Sequence, residues 1–85
     1  MKISLNNSKY FKKYERNSNY IHESVPVTYQ TFIIDNEKYF QIDFYKKSID
    51  IKSISPEIQS KHKLQFDKEN AKMFIDILKN EFDIK

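Results

Sequence analysis

The 85-residue chain contains no glycine, no cysteine and only two prolines. Without cysteine there is no disulfide, no thiolate nucleophile and no cysteine-ligated zinc site. Without glycine the chain lacks the loops that cradle phosphates and the nucleophile elbow of hydrolases, because both need backbone that a Cβ atom obstructs. Most nucleotide-using enzymes are therefore excluded.

Long hydrophobic runs are also missing. No stretch of 18 apolar residues could span a bilayer, and the first seven residues, MKISLNN, lack the apolar segment of a secretion signal. These absences predict a cytoplasmic protein that does not enter a membrane. The two histidines, His22 and His62, are too isolated in sequence to predict a metal site, and we expect no cofactor.

What the chain does contain is apolar and aromatic material for one small core. Hydrophobic residues make up 39% and aromatic residues 15% of the sequence. Charge is uneven, because residues 1–20 carry five basic residues and one acidic residue, whereas residues 21–85 are nearly balanced. We therefore predict a basic, aromatic N-terminal arm over residues 1–24 and a single α+β domain over residues 25–85.

The strongest local signal is a β-hairpin over residues 27–45, in which β-branched and aromatic residues alternate with polar ones around Asp35-Asn36-Glu37. With Asn36-Glu37 as the loop, Ile33 opposes Phe40. One face then carries Ile33, Phe40, Ile42 and Phe44, and the other is mixed aromatic and polar. Further expected elements are a short helix over residues 8–14, a short strand near residues 49–54 and a strand from His62.

A C-terminal amphipathic helix is predicted from about residue 68 to residue 82, with Asp67 as its N-cap. Its apolar stripe consists of Ala71, Phe74, Ile75, Leu78 and Phe82. This spacing favours burial against a sheet, since neither element can bury its apolar side alone. The predicted fold is α+β: a small antiparallel sheet of three to four strands covered by this one helix.

The sharpest catalytic pattern is Asp50-Ile51-Lys52, whose acid-x-Lys spacing occurs in nucleases and could combine with Asp43 to hold a metal ion. The same spacing recurs at Asp83-Ile84-Lys85, and it arises easily in a chain that is 32% charged. A solvated strand is the preferred interpretation. We predict no catalytic residues, no metal ligands and no enzymatic activity.

Two kinds of binding remain. Aromatic rings beside lysines suit single-stranded nucleic acid, because bases stack on the rings while the lysines neutralise phosphates. Tyrosine and arginine are equally typical of protein interfaces. The predicted partner-binding residues are Tyr10, Lys12, Lys13, Tyr14, Arg16, Tyr39, Tyr45, Lys61 and Lys63. Packing of the arm's aromatic rings onto the sheet is the structural alternative.

The order of a hairpin, a further strand pair and the segment KLQFDKEN leading into an amphipathic helix resembles the positive-cofactor type of transcriptional coactivator. The resemblance covers roughly residues 28–82 and lies in element order. It implies a curved sheet, a homodimer and binding of single-stranded DNA, with Lys46, Lys47, Lys61 and Lys63 in the place of the family's basic loop residues.

A protein partner is the favoured prediction. Small proteins without catalytic machinery, similar in size and style to this chain, serve phages and mobile elements as inhibitors of host defences, anti-CRISPR proteins among them. By that analogy the chain is a small non-enzymatic interaction protein that binds a larger protein, one that itself handles nucleic acid. The alternative is a protein that binds single-stranded DNA or RNA.

Overall fold

A computed structural model describes residues 1–16 and 19–85. Three strands, β1 (Val27–Ile34), β2 (Glu37–Phe44) and β3 (His62–Asp67), form one antiparallel sheet in the order β1-β2-β3. One helix, α1 (Lys68–Glu81), follows β3 directly. The predicted fold class is confirmed: the protein is a small α+β fold with an open three-stranded sheet.

The hairpin turn is formed by Asp35 and Asn36, whose φ angles are 52° and 66°. Positive φ at both central residues is what a tight hairpin loop requires, and without glycine the chain uses two residue types that tolerate it. The predicted register was wrong by two residues: Ile34 pairs with Glu37, and Phe40 pairs with Thr31. Because the shift is even, the predicted faces are unchanged.

The sheet has two unlike faces. The apolar face carries Val27, Tyr29, Thr31, Ile33, Lys38, Phe40, Ile42, Phe44, His62, Leu64 and Phe66. The polar face carries Thr28, Gln30, Phe32, Ile34, Glu37, Tyr39, Gln41, Asp43, Lys63, Gln65 and Asp67. Helix α1 lies on the apolar side, where Phe74 stacks on Phe66 with ring centroids 5.4 Å apart.

Two predicted elements are not formed. Near residues 49–54 there is a 3₁₀ helix, Ile51–Ser53, rather than a strand, because Asp50 accepts a hydrogen bond from the Lys52 amide at 3.0 Å and turns the chain. Residues 8–14 form no helix. The side chain of Asn7 accepts from the Lys9 amide at 2.9 Å, and this local bond competes with helical pairing.

The first five residues pack against the domain. Met1 accepts from the Gln65 amide and Ile3 donates to the Gln65 carbonyl, both at 2.9 Å, so this segment runs parallel to β3 along its outer edge. Leu5 follows and is buried. Its amide donates to Oδ1 of the buried Asn70 at 2.6 Å. The exposed part of the predicted arm therefore begins after Leu5.

Helix α1 begins and ends with specific caps. Oδ1 of Asp67 accepts from the Asn70 amide at 2.8 Å, which confirms the predicted N-cap. At the other end Asp83 has a φ of 54°, and the Ile84 amide donates to the Lys79 carbonyl at 2.8 Å. This is the bond of a Schellman motif, with aspartate in the position that glycine usually fills.

The apolar stripe of α1 is only partly covered. Phe74 and Leu78 are each 38% exposed and Phe82 is 71% exposed, so the sheet covers the predicted stripe only in part. A helix is about 10 Å across and strands lie about 4.8 Å apart, so one helix covers about two strands. Here α1 lies over β3, and Tyr29 and Ile33 of β1 remain uncovered, 75% and 66% exposed.

The core is accordingly thin. Leu5, Tyr45 and Phe66 are its buried apolar residues among the described positions, and no large side chain there is completely enclosed. The chain exposes 7924 Å², whereas a compact monomer of 10.4 kDa would expose about 5,400 Å². Its radius of gyration is 15.3 Å against about 12 Å for a compact domain of this length. The protein thus presents far more surface than folding alone requires.

Candidate interaction surfaces

The exposed arm presents two tyrosines to solvent. Tyr10 is 68% and Tyr14 is 72% exposed, and the ammonium group of Lys9 lies 5.5 Å from the ring centroid of Tyr10. Rings that stay this exposed contribute little to the folding of the chain, because little of their apolar surface leaves water. Together with Lys12, Lys13 and Arg16, which are also exposed, they form what we call the arm surface: Tyr10, Lys12, Lys13, Tyr14 and Arg16.

An ion pair attaches the arm surface to the end of α1. Nζ of Lys13 lies 3.1 Å from a carboxylate oxygen of Glu81 and 3.5 Å from one of Glu15. The hydrogen bond and charge of Glu81, helped by Glu15, raise the pKa of Lys13 above its ordinary value. An exposed pair of this kind contributes little stability, and it places Lys13 beside the end of α1.

Of the two sheet tyrosines predicted as contacts, Tyr39 is accessible and Tyr45 is not. Tyr39 stacks on Phe32 at 5.6 Å and donates a hydrogen bond to Glu37 at 3.0 Å, and that bond raises the pKa of the Tyr39 hydroxyl. Tyr45 is 6% exposed, and its hydroxyl lies 3.3 Å from Oγ1 of Thr28. Tyr45 is therefore not accessible to a partner in this structure.

Lys61 and Lys63 lie at the start of β3. Lys61 is exposed, whereas Nζ of Lys63 donates to Oδ2 of Asp43 at 3.3 Å. The strand register places Lys63 and Tyr39 four positions apart on neighbouring strands, about 13 Å along the sheet. The nine predicted contacts therefore do not form one patch: the five arm residues are neighbours in the chain, and the others are spread over the polar face.

The polar face contains a ladder of hydrogen bonds that sequence analysis missed. Gln65 Nε2 donates to Gln41 Oε1 at 2.8 Å, and Gln41 Nε2 donates to Asp43 Oδ1 at 2.7 Å. Gln41 and Asp43 are 7% and 8% exposed. The alternation of polar residues in β2 was visible in the sequence. Their burial was not, because it depends on the β2–β3 loop, whose Ile54 and Ile58 line the same pocket of about 470 Å³.

A second missed feature is the uncovered part of the apolar face. Tyr29 of β1 stacks on Phe40 of β2 with centroids 5.4 Å apart, yet Tyr29 remains largely in solvent. Between these strands and the start of α1 lies an apolar groove of about 240 Å³. Apolar surface that stays contiguous and exposed typically marks an interaction site.

The nuclease-like pattern has no catalytic geometry here. Asp50 caps the 3₁₀ helix, and Asp43 is bonded to Gln41 and Lys63. Across residues 1–16 and 19–85, no three histidine or acidic side chains lie close enough to hold a metal ion.

Within the same described ranges, none of the helices has both the length and the apolar character needed to cross a membrane.

Comparisons with protein-family models, curated proteins and solved structures found none that matches this chain. The resemblance to the transcriptional coactivators is therefore unsupported by any match, and a single strand stands where that resemblance expected a further strand pair.

Proposed function

We propose that this protein is a non-enzymatic interaction protein that binds a larger protein through its arm surface. The observation that carries the proposal is the exposure of Tyr10 and Tyr14, 68% and 72%, in a chain that has few buried aromatic residues. Tyrosine is enriched at the centres of protein interfaces because it buries a large area while its hydroxyl still forms a hydrogen bond.

Charge indicates the chemistry of the partner. Lys12, Lys13 and Arg16 lie next to the two tyrosines in the sequence, and Glu15 is the one acidic residue among the first 20. A complementary partner surface carries carboxylates around an apolar pocket, because such charges steer encounter and set orientation. A protein that itself handles nucleic acid and has acidic residues at its functional site fits this description, and occupying that site would inhibit it.

The test is a capture experiment with the tagged protein in bacterial lysate, with and without nuclease digestion. We expect a protein partner that remains bound after digestion. The double variant Tyr10→Ala/Tyr14→Ala should lose it without a change in melting temperature, since both rings are exposed in the free protein. Each truncated interface tyrosine should reduce affinity by about 1–3 kcal/mol.

Tyr20→Ala is the matched control. Tyr20 is 73% exposed and contacts His22, outside the arm surface. Loss of binding in the control as well as the double variant would contradict the assignment of the site. Loss of folding together with binding in the double variant would show that the two rings stabilise the protein, and the arm surface would have to be abandoned.

A second candidate function is binding of single-stranded nucleic acid. It is favoured by two lysine–aromatic pairs, Lys9 over Tyr10 at 5.5 Å and Lys2 over Tyr39 at 5.9 Å. Such pairs combine a stacking platform with a phosphate-binding charge. Fluorescence anisotropy with a labelled oligothymidine would detect it as affinity that falls steeply with salt. Binding that is insensitive to salt, or absent below millimolar concentrations, would leave the protein partner as the one function supported.

A further inference from the structure

The two edges of the sheet differ, because one is covered by another segment of the chain and the other is not. The outer edge of β3 is covered by the first three residues, through the hydrogen bonds of Met1 and Ile3 with Gln65. The outer edge of β1 has no neighbouring strand in the part of the chain that the structure describes. An uncovered edge presents a row of unpaired main-chain groups, which is a template for another strand.

The backbone groups at the β1 edge can be identified individually. The Tyr45 amide donates to the Pro26 carbonyl at 3.0 Å, so Pro26 and Tyr45 are a hydrogen-bonded pair. Hydrogen-bonded and non-bonded pairs alternate along an antiparallel ladder. Even-numbered residues of β1 therefore face β2, and the amides and carbonyls of Val27, Tyr29, Thr31 and Ile33 point away from the sheet.

Strand β1 has none of the features that normally protect an edge. Its sequence, VTYQTFII, contains no charged residue and no proline, and its pairing with β2 continues without a bulge over all eight residues. Tyr29, Ile33 and Ile34 are 75%, 66% and 54% exposed. An isolated monomer with such an edge would be prone to associate.

We propose that β1 pairs antiparallel with β1 of a second copy of this chain, which joins the two sheets into one of six strands. The lack of charge is what favours a second copy: in a two-fold arrangement each strand meets its own sequence, and like charges would face each other. The exposed side chains of this edge, Tyr29, Ile33 and Ile34 among them, are apolar or aromatic, so pairing would remove apolar surface from water that the monomer leaves exposed.

One register uses every free group of the edge. With the two-fold axis at Gln30, Val27 opposes Ile33 of the second copy and Tyr29 opposes its Thr31. All four outward residues then lie in hydrogen-bonded pairs, which gives about eight main-chain bonds. A shift by two residues would lose some of these pairs, and a shift by one would place apolar side chains against the polar face.

The arrangement closes on itself. Pairing covers the β1 edge of both copies, and the β3 edge of each copy is already covered by its own residues 1–3. Assembly therefore stops at two copies instead of continuing into a filament. The uncovered apolar faces, with Tyr29 and Phe40, become one continuous surface on one side of the dimer, and each copy contributes one arm surface.

Hydrogen exchange of the wild-type protein tests the register directly. At low concentration the amides of Thr28, Gln30 and Phe32 should be protected, and those of Tyr29, Thr31 and Ile33 should exchange freely, because they point to solvent. As concentration rises into the dimeric range, measured by sedimentation equilibrium, the three outward amides should slow by at least about tenfold. Fast exchange of these amides in a protein that sediments as a dimer would overturn the β1 interface.

Two kinds of variant complete the experiment. Thr31→Pro removes an amide that faces the edge and not β2, and should raise the dimer dissociation constant at least about tenfold. Gln30→Glu and Gln30→Lys place like charges on the axis, so each alone should weaken the dimer roughly threefold to fivefold, and an equimolar mixture should restore it. Gln59→Glu and Gln59→Lys, which change charge on the exposed loop, are the matched controls.

Three results would refute the proposal. The first is a wild-type protein that stays monomeric at millimolar concentration. The second is a dimer that tolerates Thr31→Pro. The third is association that continues beyond two copies, because the covered β3 edge forbids it.

Discussion

At the scale of single residues, Asn70 has the most specific role in the fold. It is 3% exposed; its Oδ1 accepts from the Leu5 amide at 2.6 Å and its Nδ2 donates to Asp67 at 2.8 Å. One carboxamide thus links the N-terminal segment to the start of the helix. In the sequence it is simply a polar residue in the first turn of α1, with no signal that a residue 65 positions earlier would need its oxygen.

We expect Asn70→Ala to lower the free energy of unfolding by about 1–3 kcal/mol, because it leaves the buried Leu5 amide without an acceptor. Urea denaturation followed by circular dichroism measures this. Asn80→Ala, at an exposed position of the same helix, should stay within about 0.5 kcal/mol of wild type. Equal effects of the two substitutions would mean that the Leu5 contact contributes nothing.

Asp67 is a residue whose ionisation contributes to stability. Its carboxylate accepts hydrogen bonds from the amide and the side chain of Asn70 and lies 3.3 Å from Nζ of Lys2. These partners, the Asn70 amide first, hold the pKa of Asp67 below its ordinary value. Because the folded pKa is lowered, the stabilisation is fully present above the unfolded pKa of about 3.9 and is lost as pH falls through the folded pKa.

The expected outcome is a difference between wild type and Asp67→Asn that shrinks in acid. Above about pH 5 the wild type should be the more stable, and the gap should close as pH is lowered below about 4. Melting temperatures at a series of pH values measure the gap. Asp76→Asn, which removes an exposed carboxylate of α1 without touching the cap, is the matched control.

At the scale of elements, the absence of glycine raises the conformational energy of the backbone at a few positions. Asp35, Asn36 and Asp83 have positive φ angles, in the hairpin turn and after α1, and all three positions favour glycine. The sequence contained the necessary clue, since aspartate and asparagine are the residues that tolerate this conformation. The turn was predicted one residue too late because Asp35-Asn36-Glu37 offers two adjacent candidate pairs.

Asn36→Gly should therefore stabilise the hairpin by about 0.5–1 kcal/mol, since glycine reaches positive φ without a steric penalty. Asn36→Ala should act in the opposite direction, by about 1 kcal/mol, because its Cβ atom clashes in that conformation. Thermal unfolding of the two variants separates the effects. A Gly variant no more stable than the Ala variant would contradict the turn geometry.

At the scale of the whole molecule, the protein has a large exposed surface and a small buried core. The exposed area of 7924 Å² and the thin set of buried residues describe a chain that folds with much of its apolar surface still available. Both proposals depend on this excess: the arm surface for a larger protein, and the β1 edge for a second copy. The two surfaces belong to different segments of the chain, so a dimer would leave both arms free to bind.

If folding and pairing through β1 are coupled, the melting temperature of the wild type should rise with protein concentration, because dilution favours the less stable monomer. A hundredfold increase in concentration should add a few degrees. Calorimetry over that range measures it, with Thr31→Pro as the variant whose melting temperature should begin to rise only at a concentration at least about tenfold higher. A concentration dependence identical to that of the wild type would place the association elsewhere.

The sequence by itself determined the hairpin, the last strand, the helix and its Asp67 cap, because alternation, helical spacing and capping are local properties of neighbouring residues. It also indicated the basic and aromatic character of the arm. Only the tertiary structure decided that Leu5 and Asn70 meet, that Tyr45 and Asp43 are covered by a loop, and that β1 is left without a neighbour. Those outcomes depend on contacts between distant segments and on how far one helix reaches across a sheet, and no short window of sequence contains either.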